Sequence, residues 1–529
     1  MAQTAFLRFS LTLLALGVSS CRLPEAAPAP APAPSSMPGN GPKAEVPTAR
    51  VRLTPATFSE PAPAARQAVA GEPPQLFRLG AGLWEVPAPR AGNGLYLALA
   101  SPEWPTEGTP LQLQVEGAAP NPPEEGAVSI ATEATTSRLA ACGASLAEAT
   151  DPAPPASARR LLTVATAQDQ EPFWIIRAGL PAPPGEAYDE VERVCRRVHS
   201  GKGCHVYLDQ RLAVEDAIAE ARALGEAFDD QLLPGVSRLF GPAPQPGIDG
   251  DARIFLVISP DVSADGRTGT LAYFARRDQR TRGDGTPSGR HSNQRDALFI
   301  DARTLVASRR ADLYTAVAHE LGHLLHFTQH APKLPPGTSE KLWLEEALAM
   351  LASHACGYTL ETAPSMYHHV AGFLAQPHKY SLTDWPGNPG QAGYGVGYLF
   401  LLYLQERFGE ALITEIVQGS LVGKAQVEKV LQGQGSSFQE AFGDWALAVL
   451  NDGLFEQPGS PWCYPHTQLR TSTPHGPLKG PAVMRLGPEG AQVPRRADVA
   501  YFFHVRPLPD RRLLGVRLQG PGRLAGMVP

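Results

Sequence analysis

Cysteine is scarce in this chain: there are six in 529 residues, with no CxxC or Cys/His spacing among them. That pattern offers no cysteine-ligated zinc site. Excess positive charge is also missing, since the net charge is −6 and the pI about 6.2. Basic residues are dispersed apart from the stretch 276–290, so a nucleic-acid role has little support. No internal repeat is present. The apolar run from Leu11 to Val18 reads as part of an export signal and not as a membrane span.

What stands out instead is His319-Glu320-Leu321-Gly322-His323, an HExxH segment. Chance supplies about 0.02 such matches in a chain of this composition. The stretch Asp312–Phe327 lacks proline, and Leu313, Val317, Leu321, Leu324 and Leu325 recur at helical intervals, which predicts a buried helix with Asp312 as its N-cap. Four residues turn a helix by about 400°, so His319 and His323 share one face about 6 Å apart, as two nitrogen ligands of one metal require. Glu320 is rotated off that pair. Its carboxylate is thereby placed to take a proton from water without occupying a coordination position.

A catalytic zinc site needs one more protein ligand. The metzincin continuation HExxHxxGxxH fails, because its Gly and final His positions are His326 and Gln329. His326 is expected to be a partly buried side chain capped by a carbonyl or water. A second helix begins near Lys341-Leu342-Trp343-Leu344-Glu345-Glu346-Ala347. Neighbouring residues point about 100° apart, so Glu345 and Glu346 cannot both face the metal.

These two helices resemble those of the gluzincin metallopeptidases, whose pattern W-L-x-E-(G/A)-x-A places the zinc glutamate at Glu346. Glu345 is then expected to be a solvated or helix N-terminal charge. The resemblance is nearest to the hyicolysin-type neutral metalloproteases and covers about 185–450. It takes in a strand over Asp251–Ser259, a strand Ala297–Asp301 led in by Ser292-Asn293, and a tyrosine-bearing helix from Gly393 to Leu404. It implies Zn²⁺ held by His319, His323 and Glu346, Glu320 as general base, and Tyr394 as donor to the oxyanion, with Tyr398, His368 and His369 as rivals. One departure is Met350, which stands where thermolysin-like members carry a carboxylate that orients a zinc histidine; Asp312 or a backbone carbonyl could substitute.

The first 21 residues resemble a bacterial lipoprotein signal, with Arg8, an apolar run and the lipobox Val18-Ser19-Ser20-Cys21, which implies lipidation at Cys21 and export. Residues 22–65, rich in Pro and Ala, read as an extended tether. Residues 66–165 alternate at strand period, as in Gly-Leu-Tyr-Leu-Ala-Leu and Leu-Gln-Leu-Gln-Val, and predict a β-sandwich-like module. Residues 166–465 hold the metallopeptidase domain, and 466–529 a β-rich C-terminal segment. Cys195 and Cys204 flank eight residues symmetrically and form a candidate disulfide across a hairpin. Arg276–Arg290 reads as a surface loop, and Asp249-Gly250-Asp251 as a turn rather than a calcium loop.

The expected fold is therefore α+β, a mixed sheet followed by the HExxH helix and a helical subdomain between β-rich modules. The expected activity is zinc-dependent endopeptidase hydrolysis of protein or peptide substrates by a lipid-anchored, exported enzyme with no nucleic-acid partner. An aminopeptidase, or a surface-anchored binding or adhesion lipoprotein with an inactive peptidase fold, are the alternatives.

Overall fold

The structure is a computed structural model. It describes residues 168–529 apart from 213, 264–268, 386–391, 453–459, 489, 494–495, 507–512, 520–522 and 529, and before them 66–67, 75–79, 82–87, 95–101, 111–116 and 118–119. The lipobox with Cys21 and the tether 22–65 lie outside the described residues.

A six-stranded mixed sheet is built from strands between residues 170 and 301. Its order is Ala272–Phe274, Ala297–Asp301, Ile254–Ser259, Cys204–Asp209, Glu190–Ser200 and Gln170–Ile176. The three central strands run parallel, while the remaining pairings are antiparallel. Ile254–Ser259 and Ala297–Asp301 are buried along their whole length. That explains their continuous apolar runs, because a central strand covered on both faces has no solvent side to alternate with.

The hairpin Glu190–Asp209 corrects the disulfide expectation. Its turn sits at 201–203, fastened by Asp229, which accepts from Lys202 N at 2.5 Å and Gly203 N at 2.9 Å. The register places Ser200 opposite His205 and Cys195 opposite Asp209. Cys195 packs on one face of the sheet with Phe173 and Phe255, and Cys204 on the other with Leu224 and Phe228. Both thiols are free, since two side chains on opposite faces of one sheet cannot bond.

The stretch 276–290 is also more than a surface loop. Residues 276–279 form a 3₁₀ turn in which Arg277 and Asp278 are completely buried. Arg277 pairs with Glu190 and donates to Trp174 O at 2.9 Å, so the buried charge is compensated. Asp249-Gly250-Asp251 is a turn whose carboxylates are taken by Arg295 and by His205 and Arg253.

The described residues hold nine α-helices, two between strands Cys204–Asp209 and Ile254–Ser259 and seven after the sheet: α1 Glu215–Ala227, α2 Leu233–Phe240, α3 Arg310–His330, α4 Leu342–Ala355, α5 Pro364–Ala375, α6 Ala392–Phe408, α7 Glu410–Val417, α8 Lys424–Gly433 and α9 Phe438–Asn451. None is long and apolar enough to cross a membrane. The N-cap of α3 is Arg309, and Asp312 falls in its first turn rather than at the cap.

Strands from the two ends of the region pair with each other. Leu95–Ser101 runs antiparallel to Val499–Val505 and to Arg523–Val528, and Leu111–Glu116 antiparallel to Leu513–Gln519. Two five-stranded sheets result, each built from both chain segments. Ala98, Ala100 and Phe502 join the same apolar core as α3, α4 and α6. The molecule is α+β.

Candidate metal centre

Helix α3 carries no proline, and most of its side chains are buried, so its length rests on tertiary packing. Helix α4 lies against it, and Gly322 is a point of close approach. A Cβ there would lie 2.7 Å from Ala352 Cβ and 3.3 Å from Ala349 Cα. The missing side chain lets α4 bring its carboxylates against the two histidines of α3.

The result is a compact triangle of buried donors. His319 Nε2 is 3.1 Å from His323 Nε2 and 3.2 Å from Glu346 Oε2, and His323 Nε2 is 3.6 Å from the same oxygen. Three donors about 2.0–2.2 Å from one tetrahedral ion stand about 3.4 Å from one another. The three observed separations bracket that value. Protons alone do not satisfy the arrangement, because an imidazole Nε2 has one hydrogen or one lone pair, and His319 Nε2 faces two partners. A shared cation would receive all three lone pairs, so these residues could hold a metal ion.

Electrostatics agree with that geometry. Burial would raise the Glu346 carboxyl, but His323 beside it and hydrogen bonds from both histidines bring it down. Burial conversely would lower His323, and the neighbouring carboxylates, Glu346 first, raise it. The pocket is thus charged so as to favour an ionised glutamate next to a positive centre.

Glu320 lies one residue along the helix and faces the edge strand. Its Oε2 accepts from the backbone N–H of Phe274 at 2.9 Å, while the buried Oε1 has no hydrogen-bond partner. Burial pushes this carboxyl up to about 8 against the opposing pull of His323.

Glu345 is not a solvated charge. It is buried, ion-paired with Arg276, and 4.0 Å from His323 Nδ1. Sequence reasoning missed both Arg276 and the Phe274 amide, because each reaches the site from the sheet and neither carries a local signal.

Tyr394 is buried near the start of α6, its ring 6.1 Å from that of His319 and 4.9 Å from that of His369. Gly395 permits this placement, since a Cβ there would lie 2.3 Å from His369 O. Tyr398 is directed elsewhere, its hydroxyl 2.8 Å from His354 Nδ1. His368 is exposed and neighbours Tyr367, so it stands outside the triangle. The Met350 position is buried, and His319 Nδ1 has no hydrogen-bond partner. Asp312 is 3.9 Å from Arg309 rather than bonded to that histidine.

No protein-family profile matches the chain. One curated relative, described as "Neutral metalloprotease ShpI" of Staphylococcus hyicus, is 27% identical over 241 residues, which is 44% of this chain and 52% of the relative. The chain thus spans about half the length of the curated relative it matches. Over that stretch, and with a His/Glu group on α3 able to hold a metal, the chain is similar to a metallopeptidase.

Proposed function

We propose that this chain is a zinc-dependent metalloendopeptidase of gluzincin type. The observation that carries the reading is the buried triangle of His319 Nε2, His323 Nε2 and Glu346 Oε2, spaced at 3.1–3.6 Å, with Glu320 Oε1 beside it and unpartnered. A zinc ion held by these three residues would supply Lewis acidity and lower the pKa of water.

The remaining work belongs to the side chains. Glu320 takes a proton from the attacking water and returns it to the leaving amine, while its second oxygen stays fixed by Phe274 N. Tyr394 supplies the hydroxyl that stabilises the developing oxyanion. Arg276 neutralises Glu345, so the extra carboxylate next to His323 does not compete for the metal.

The lipobox at Cys21 supports an exported, lipid-anchored enzyme, with protein or peptide as substrate. Replacing Cys21 by Ser should release the protein from the membrane fraction of the producing cell. Retention there would count against the anchor.

The activity is tested by hydrolysis of casein and mixed peptides by the full chain, with zinc measured on the same sample and ortho-phenanthroline as control. Chelator-sensitive cleavage at internal bonds is expected. Bound zinc without cleavage of any peptide would favour the binding or adhesion reading, and release of single N-terminal residues the aminopeptidase.

A further inference from the structure

Helix α3 carries four histidines, and the triangle above uses only two. His326 and His330 repeat the spacing of His319 and His323 one step further along, at positions that a helix places on the same stripe. Both are buried, and Glu340, from the segment between α3 and α4, turns its carboxylate onto them. His330 Nε2 is 3.2 Å and His326 Nε2 3.9 Å from Glu340 Oε2, and one donor atom from each residue lies within 4.8 Å of the others.

All three facing atoms, His326 Nε2, His330 Nε2 and Glu340 Oε2, lack a hydrogen-bond partner. Buried polar atoms left without a hydrogen bond cost stability, and these three face one another without one. The far sides of His330 and Glu340, by contrast, are fixed. His330 Nδ1 is 3.0 Å from Gly419 O, and as donor to that carbonyl it leaves the lone pair on Nε2. Glu340 Oε1 accepts from Lys341 N and Gly423 N, each at 2.6 Å, which orients Oε2 inward. This is the support that metal-binding histidines and carboxylates ordinarily have.

We propose that His326, His330 and Glu340 form a second site for a divalent metal of the zinc class, separate from the catalytic triangle. Two acceptors, His330 Nε2 and Glu340 Oε2, converge there with the unpartnered His326 Nε2, and one cation would satisfy all three. The separations are wider than in the triangle, so binding draws Glu340 and His326 inward.

The midpoints of the two histidine pairs are seven residues apart, about 10 Å along the helix. Metals that share a reacting group stand about 3.5–4 Å apart. The second ion is therefore a clamp and not a catalytic partner. It ties the end of α3 to the segment leading into α4, six residues before Glu346, and to the 419–423 turn, and so holds the third ligand of the triangle in place. The site goes beyond the proposed activity and does not depend on it.

The test is zinc content of the full chain after chelator stripping and reloading with Zn²⁺. Two zinc ions per chain are expected for the wild type, one for His330→Asn, one for Glu340→Gln, one for Glu346→Ala, and none for Glu346→Ala/His330→Asn. Zinc should also raise the melting temperature of Glu346→Ala but not of the double variant. One zinc in the wild type with none in Glu346→Ala would overturn the second site and leave the first intact. One in both, lost in His330→Asn, would do the reverse. Unchanged zinc content in His330→Asn would overturn the proposal. Should the variants not fold, anomalous scattering at the zinc edge from wild-type crystals decides: a peak between His326, His330 and Glu340 supports the clamp, and a water there refutes it.

Discussion

The backbone N–H of Phe274 donates to Glu320 Oε2 at 2.9 Å, so the edge strand of the sheet fixes the carboxylate next to the histidine pair. One oxygen is held and the other has no hydrogen-bond partner. Replacing Glu320 by Gln keeps an acceptor for Phe274 N but removes the base. Peptide hydrolysis should be lost, with zinc content unchanged from wild type. A Glu320→Gln protein that retained full activity would refute the mechanism.

Glu346→Ala acts on binding instead. Removing a group that orients a ligand costs about 10–100-fold in metal affinity, so removing a donor of the triangle should cost more than about 100-fold at that site. Competition with a chromophoric chelator measures it, and an unchanged affinity would exclude Glu346 as a ligand.

Tyr394 and Tyr398 should separate kinetically. Tyr394→Phe is expected to lower kcat by about 10²–10³ while KM changes little, as for loss of one oxyanion donor. Tyr398→Phe should leave kcat near the wild-type value, because that hydroxyl is engaged with His354. Equal effects of the two would remove the role given to Tyr394.

Gly322→Ala tests the α3–α4 contact. Alanine gains about 1 kcal/mol of helix propensity, but overpacking costs about 1–3 kcal/mol. With a Cβ only 2.7 Å from Ala352 Cβ, the clash should win. The variant should unfold at lower denaturant concentration and bind zinc more weakly, since α4 must shift. A stabilised variant would mean that the helices separate freely.

Asp452 gives a pH dependence away from the metal. Burial pushes its carboxyl up to about 6, against the Leu469 amide and Arg470. The folded pKa lies above the unfolded one, so the folded state binds the proton more tightly. Stability should fall as pH rises from about 4 to 6 and stay reduced above that. Asp452→Asn lacks this titration. Its stability relative to wild type should therefore improve by about 1–3 kcal/mol between pH 4 and pH 7, as read from melts at the two values. A difference independent of pH would show that Asp452 titrates normally.

Much of the site was legible in the sequence because its signals are local. The i,i+4 spacing of His319 and His323 and the continuous apolar run of Ile254–Ser259 depend on helix and strand periods alone. The symmetric spacing of Cys195 and Cys204 misled, since hairpin register is set by where the turn forms and by which face each residue takes. Glu345 does lie in the first turn of its helix, as read, but its burial was not legible, because Arg276, which pairs with it, is 69 residues away in sequence.

The sequence by itself thus determined that a long buried helix presents HExxH on one face, that a second helix follows with two adjacent carboxylates, and that strands lie at both ends. Period and propensity act over a few residues and leave their mark there. Only the tertiary structure decided that Glu346 closes the triangle, that Phe274 holds Glu320, that Glu340 turns onto His326 and His330, and that strands before 120 and after 490 share their sheets. Those relations are contacts between distant segments, chosen by packing and by the pairing of buried polar groups, and no local pattern encodes them.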